Sequence, residues 1–218
     1  MATTLAASNA APIAFPGQAA APRLTTATMA RLAELVVLLA AGALLLASIA
    51  FPYWGITLHA PQYPKGLRIE AYVYQLTGDV FEVDGLNHYI GMMKLNDAAV
   101  LERQAALIAI PIIAVLAMAS IRLRGVAKAL ARLPIVIYPL VFAVDLFGWL
   151  YYAGNSLDPY APLSSSIEPF TPRMLGVGTI GQFSTEAAFM TGYTLAVAAV
   201  VLVLALSVWQ WRTRDAAR

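Results

Sequence analysis

The segment 78–93 contains the densest group of side chains that could bind a metal. Its candidate ligands are Glu82, Asp84, His88, Met92 and Met93. An imidazole beside thioethers suits copper, especially Cu(I), whereas carboxylates alone suit harder cations. If residues 88–93 are helical, His88 and Met92 are four positions apart and share a face. The pattern therefore indicates a copper-type site. The alternative is that the two methionines pack the segment onto a membrane and His88 makes ordinary hydrogen bonds, because no strict metal-ligand spacing is present.

The only other histidine, His59, lies in the proline-rich stretch 58–64. It is a candidate second ligand for the same metal, although a surface histidine without a ligand role is the commoner explanation. The chain contains no cysteine. Disulfides, thiolate zinc sites and iron–sulfur clusters are therefore excluded.

Asp145 is the acidic residue that stands deepest in an apolar segment. A carboxylate at the centre of a membrane helix costs about 2.5–3.5 kcal/mol on insertion scales, so such residues usually mark an ion path or a polar contact. The alternative is a protonated Asp145 that hydrogen-bonds to Tyr138, Thr191 or Thr194. No Ser/His/Asp order, phosphate-binding loop or paired-carboxylate motif accompanies it, so we predict that the protein is not an enzyme.

The elements that position these residues follow from the composition. The chain has 218 residues, of which 60% are hydrophobic and 12% charged, with a mean hydropathy of +0.71. Soluble domains carry about twice that share of charge, so the composition indicates a protein embedded in lipid. A membrane-spanning helix needs about 20 apolar residues. Four segments satisfy this length, and they predict helices at about 32–51, 98–123, 133–152 and 187–211.

These segments predict an all-α membrane protein with a four-helix domain over 31–211. Residues 1–30, rich in Ala, Thr and Pro, are predicted to be a disordered tail, and 212–218 a short second tail. Two alternatives concern the beginning of the chain. Translation could start at Met29, or the segment 35–46 could be the apolar part of a signal peptide cleaved near 48–50. The aromatic residues at 51–54 favour a retained membrane anchor.

Two long connections, 53–104 and 153–186, are predicted to form one small cap outside the membrane. Polar and apolar residues alternate over 67–76, which indicates a strand, and 80–83 is predicted to return as the second strand of a β-hairpin. Four prolines in 153–186 indicate an irregular loop. The apolar face of 67–76 and the glycine-rich segment 176–181 are expected to cover each other.

Basic residues indicate the orientation. Nine of the fourteen lie in the N-terminal region, the connection near 122–132 or the C-terminus: Arg23, Arg31, Arg122, Arg124, Lys128, Arg132, Arg212, Arg214 and Arg218. By the positive-inside rule both termini are cytoplasmic and the cap is periplasmic, in a bacterial inner membrane. The net charge of +2 gives no reason to expect nucleic acid as a partner. The expected partners are the lipid bilayer and other membrane proteins.

Three segments, 60–67, 86–92 and 178–183, carry a resemblance that extends over most of residues 50–195. They resemble a family of small polytopic bacterial membrane proteins associated with nitrous-oxide-reductase maturation and copper handling. The resemblance implies a copper or respiratory accessory role and identifies no ligand residue. We therefore expect a non-catalytic accessory or assembly protein of an inner-membrane metalloenzyme system that handles copper through the outer loop. The alternatives are a structural subunit of a respiratory or photosynthetic complex and a component of a small-solute or ion transporter.

The predicted topology can be tested with reporter fusions. Fusions after Lys128 and after Arg218 should report a cytoplasmic location, because both points lie among the basic residues. Fusions within 60–95 or 155–180 should report the periplasm. A cytoplasmic signal from a fusion at residue 75 would contradict the four-span topology.

Overall fold

The computed structural model describes residues 26–180 and 183–215, so most of the predicted N-terminal tail lies outside the described residues. The described part contains five α-helices: α1 (Thr26–Ser48), α2 (Val80–Ile90), α3 (Val100–Ala119), α4 (Gly125–Asn155) and α5 (Thr191–Asp215). Helices α1, α3, α4 and α5 are long and apolar enough to cross a membrane. The prediction of four such helices is confirmed.

Every helix differs from its predicted bounds, and α1 and α5 extend into the predicted tails, since α1 begins at Thr26 and α5 ends at Asp215. Helix α4 begins at Gly125 and continues through Pro134 and Pro139, so it has 31 residues. A helix of that length is about 46 Å long, well beyond the roughly 30 Å of a hydrocarbon core. Helix α5 begins at Thr191 rather than near 187, because the residues just before it form a strand.

The two long connections form one five-stranded antiparallel sheet. Its strands are β1 (Trp54–Ala60), β2 (Tyr63–Ala71), β3 (Leu76–Gly78), β4 (Gly176–Ile180) and β5 (Phe183–Phe189), in the order β3-β2-β1-β5-β4. Strand β1 from the first connection pairs with β5 from the second. The two connections therefore fold as one unit, as expected, although the sheet is larger than a hairpin and the label all-α is too narrow.

Other predictions for the cap are wrong. Residues 80–83 are not a return strand, since α2 begins at Val80. Asp79 ends the sheet there: its carboxylate accepts the backbone N–H of Arg68 at 2.8 Å, and its own N–H donates to the Arg68 carbonyl. The segments 67–76 and 176–181 do not cover each other, because β1 and β5 lie between β2 and β4. Residues 153–186 are not irregular throughout, because β4 and the start of β5 lie within them.

The sheet has a polar face and an apolar face. Thr57 pairs with Arg68 on one side and with Glu186 on the other, so these polar residues share the outer face. The apolar face carries Trp54, Ile56, Leu58, Leu67, Ile69 and Ala71, which all border the space below the sheet. The alternation predicted from the sequence is thus present over 68–71.

The core of the helical part is built mainly on α1 and α5. Leu38, Ala41 and Leu45 of α1 are fully buried at a helical spacing, and they belong to one cluster with Ala196, Ala199 and Val203 of α5. Alanines at these positions let the helix backbones approach closely, as is common in membrane bundles. Connecting α5 to the sheet, Gly192 contacts the ring of Tyr53 so closely that a Cβ would overlap it.

A buried ionic network joins the ends of the helices that lie away from the sheet. Glu34 of α1 and Arg132 of α4 are only 6% and 5% exposed. The Arg132 Nη2 donates to Glu34 Oε1 at 2.7 Å, and the Lys128 Nζ lies 2.5 Å from the same oxygen. Arg132 also donates to Ser120, just after α3, and to Ser207 and Gln210 of α5. One guanidinium therefore contacts all the other membrane helices or their ends.

Removing this guanidinium should destabilise the protein strongly. Arg132→Met leaves Glu34 and three polar partners short of hydrogen bonds, and breaking a buried ion pair from one side costs on the order of 3–5 kcal/mol. The measurement is the free energy of unfolding in mixed detergent micelles. Arg124→Met, which removes an exposed cation just before α4, is the control and should change stability by less than about 0.5 kcal/mol. Equal effects of the two variants would contradict a structural role for the network.

A cavity between the sheet and the membrane helices

A large cavity lies between the apolar face of the sheet and helices α2, α3 and α4. Its volume is about 810 Å³, within the range of roughly 300–1,000 Å³ typical of small-molecule sites. The sheet forms one wall through residues such as Trp54 and Ile69, and Leu86 and Ile90 of α2 contribute another. The lining is mostly apolar, so the cavity suits a hydrophobic occupant.

The cavity exists because α3 presents small side chains to it. Ala105, Ala106 and Ala109 line it from α3, opposite larger residues of α4 such as Phe142 and Trp149. Its deep end is marked by Ile113 of α3 and Pro134 of α4. Beyond that level, the bond from Arg132 to Ser120 holds α4 against the end of α3.

Part of the α4 wall of the cavity is exposed. Ile137 and Val141 line it, yet they are 41% and 53% exposed. Both belong to a helix that is long and apolar enough to cross a membrane.

Two contacts fix the sheet over the cavity. The Trp54 indole N–H donates to the Met174 carbonyl at 2.7 Å, which ties β1 to the chain just before β4. Tyr53 is fully buried among the rings of Tyr138, Phe142 and Tyr193, and its hydroxyl lies 2.6 Å from Ser48 Oγ. Burial raises the pKa of the Tyr53 phenol, so this group remains a neutral hydrogen-bonding partner.

Asp145 lines the cavity from α4, and Glu102 lines it from the first turn of α3. Asp145 is half-buried, whereas Glu102 is exposed. Neither carboxyl group has an ion pair or a hydrogen bond within residues 26–180 and 183–215. Of the partners anticipated for Asp145, Thr194 donates instead to the Met190 carbonyl, and the ring of Tyr138 packs edge-on against Tyr53.

Arg103, the neighbour of Glu102, also borders the cavity. Among the described residues it forms no ion pair with the Glu102 carboxylate. Its Nη2 donates to the carbonyls of Asn96 and Ala98, and its Nε donates to that of Ala99 at 3.4 Å. The guanidinium thus satisfies carbonyls of the segment that leads into α3. The polar groups of the lining thus include the two carboxyl groups, the Arg103 guanidinium, the amides of Gln62 and Asn87, and the Thr185 hydroxyl.

The predicted metal ligands are distributed over several places. His88 and Glu82 are exposed on α2, and the carboxylate of Asp84 accepts the backbone N–H of Leu95 at 2.7 Å. Met92 lines the cavity, whereas Met93 is not among its lining residues. Helix α2 ends at Ile90, and Gly91 has a φ of 80°. The expectation that His88 and Met92 share one helical face is therefore wrong.

His59 lies on the outer face of the sheet, away from α2. Its Nε2 is buried without a hydrogen-bond partner, and Glu186 Oε2 is 4.0 Å from it. A second, smaller cavity of about 530 Å³ lies beside it, lined also by Tyr63, Thr179 and Ser184. In the described part of the chain, no three His, Asp or Glu side chains are placed to hold one metal ion.

Sequence reasoning missed Glu102 and the ionic network. Glu102 stands near the start of a predicted helix, where an acidic residue is ordinary, so its sequence position carries no signal of a site. Glu34 and Arg132 are 98 residues apart. The signal for that pair was present, since Glu34 interrupts an apolar segment and a buried charge needs a partner, but the partner could not be identified. A search with protein-family models and a search of curated proteins each find no match to this chain.

Proposed function

We propose that this protein is a non-catalytic accessory protein of a bacterial inner-membrane metalloenzyme system, and that it acts by holding an apolar molecule in the cavity below the sheet. The observation that carries the proposal is the cavity itself. It is large and mostly apolar, and its exposed wall belongs to α4, a helix long and apolar enough to cross a membrane.

The proposed orientation has the sheet in the periplasm. The basic residues Arg122, Arg124 and Lys128 follow α3 or begin α4, at the end away from the sheet. This arrangement agrees with the positive-inside rule. A periplasmic sheet would close the cavity on its water side and leave the exposed α4 wall in the outer half of the bilayer.

The proposal predicts that the purified protein retains lipid in this cavity. Ala109→Trp places a large ring on the cavity side of α3, while Ile108→Trp places the same ring on a residue that is exposed and outside the cavity. We expect wild type and Ile108→Trp to retain about one lipid molecule each after transfer to lipid-free micelles, and Ala109→Trp to retain at least about tenfold less.

The measurement is lipid content by mass spectrometry, together with the thermal unfolding of each variant to verify folding. Equal retention by a folded Ala109→Trp would overturn the proposed ligand-holding role. If the protein instead purifies as a fixed-stoichiometry part of a larger membrane complex and retains no lipid of its own, a structural subunit is the better interpretation.

A second candidate function is copper handling, which the unpartnered Nε2 of His59 favours. A buried nitrogen without a hydrogen bond is the kind of group that binds an ion or water. On this proposal, Cu(I) or Cu(II) binds with a stoichiometry near one, and His59→Ala abolishes binding. His88→Ala and the double change Met92→Leu/Met93→Leu test the remaining predicted ligands. The measurement is a copper titration in which the bound metal is quantified. An unchanged stoichiometry in His59→Ala would contradict a copper site at this residue.

A further inference from the structure

The two carboxyl groups of the cavity limit the chemistry of its occupant. Glu102 and Asp145 have no cationic partner in the described residues, and the surrounding side chains are mostly apolar. Carboxylates in such surroundings are stabilised by a positive group that also donates hydrogen bonds. A protonated primary amine meets both requirements, because it carries a charge and three N–H donors.

The position of the carboxyl groups within the cavity limits the occupant further. Glu102 lies in the first turn of α3, at the end of the cavity nearest the sheet, and Asp145 lies on the facing wall. Towards the other end, the walls are formed by apolar residues such as Ile113 and Ile137. The two carboxyl groups therefore lie between the apolar face of the sheet and an apolar deep end, so the occupant that complements the cavity is an amphiphile.

We infer that the cavity binds an aminophospholipid, with the headgroup ammonium between Glu102 and Asp145 and an acyl chain along α3 and α4. The inference rests on the proposed ligand-holding function and specifies its ligand. On this inference one chain enters past the exposed residues Ile137 and Val141 while the rest of the lipid stays in the bilayer. An anionic headgroup without an amine is disfavoured at this end, because it would face two carboxyl groups and Arg103 is already occupied by backbone carbonyls.

The experiment compares two lipids that differ only in the amine. Delipidated full-length protein is mixed with phosphatidylethanolamine and its N-acetylated form, with identical acyl chains, and the bound lipid is counted by native mass spectrometry. Wild type should prefer the free amine by about tenfold or more. The double variant Glu102→Gln/Asp145→Asn should bind both lipids within about twofold of each other. Glu82→Gln, which removes an exposed carboxylate on α2 outside the cavity, should keep the wild-type preference.

The outcomes separate this inference from the proposed function. If wild type binds both lipids equally, or if the double variant keeps the preference, the aminophospholipid assignment is overturned. In that case the loss of lipid in Ala109→Trp still supports an apolar ligand in the cavity. If Ala109→Trp binds both lipids as wild type does, the cavity is not the binding site and both proposals fail. If the double variant does not fold, the single variant Asp145→Asn replaces it in the experiment. This variant should reduce the preference for the free amine at least threefold.

Discussion

The structure depends on the buried contact between Arg132 and Glu34. An unpaired charge among apolar helices is unfavourable, so Arg132 requires Glu34, and Glu34 requires its two cationic partners, Arg132 and Lys128. Because Arg132 also bonds to Ser120, Ser207 and Gln210, satisfying one guanidinium fixes α1, α4, α5 and the end of α3 at one level. The helices are thus held together at the end away from the sheet. Their other ends are positioned by different contacts, which leaves room for the cavity.

At the end of the helices nearest the sheet, backbone hydrogen bonds hold the elements together, as the ion pair does at the opposite end. The backbone N–H of Tyr53 donates to the Ala71 carbonyl, and its backbone carbonyl accepts from the Met190 N–H. The chain just before β1 is therefore hydrogen-bonded on both sides, close to the beginning of α5. The sheet can then rest on the helices with its apolar face inward. The alanines of α3 fill little of the space below the sheet. The cavity therefore lies between the apolar face of the sheet and the small side chains of α3.

Much of the architecture could be predicted from the sequence, because lipid imposes a strict length and composition on a spanning helix. The alternation over 68–71 likewise indicated a strand. Strand β5 was not predicted because its residues run directly into the apolar segment of α5, so the hydropathy shows no boundary. Of the candidate site residues, Asp145 and Met92 do line one cavity, whereas His59 and His88 lie on different elements. Which residues meet across the sheet depends on pairings between distant segments, and those pairings leave no local pattern.

The bond between Trp54 and Met174 joins residues 120 positions apart, and the pairing of β1 with β5 is longer still. During synthesis, β1 emerges long before its partner strand exists. The sheet therefore completes only after α3 and α4 have been made, and contacts of such separation form slowly. Until then β1 carries an unpaired edge that other chains could join. Completion of the sheet is consequently a late step in the folding of this protein, at which a chaperone that shields strand edges would raise the yield of correctly closed molecules.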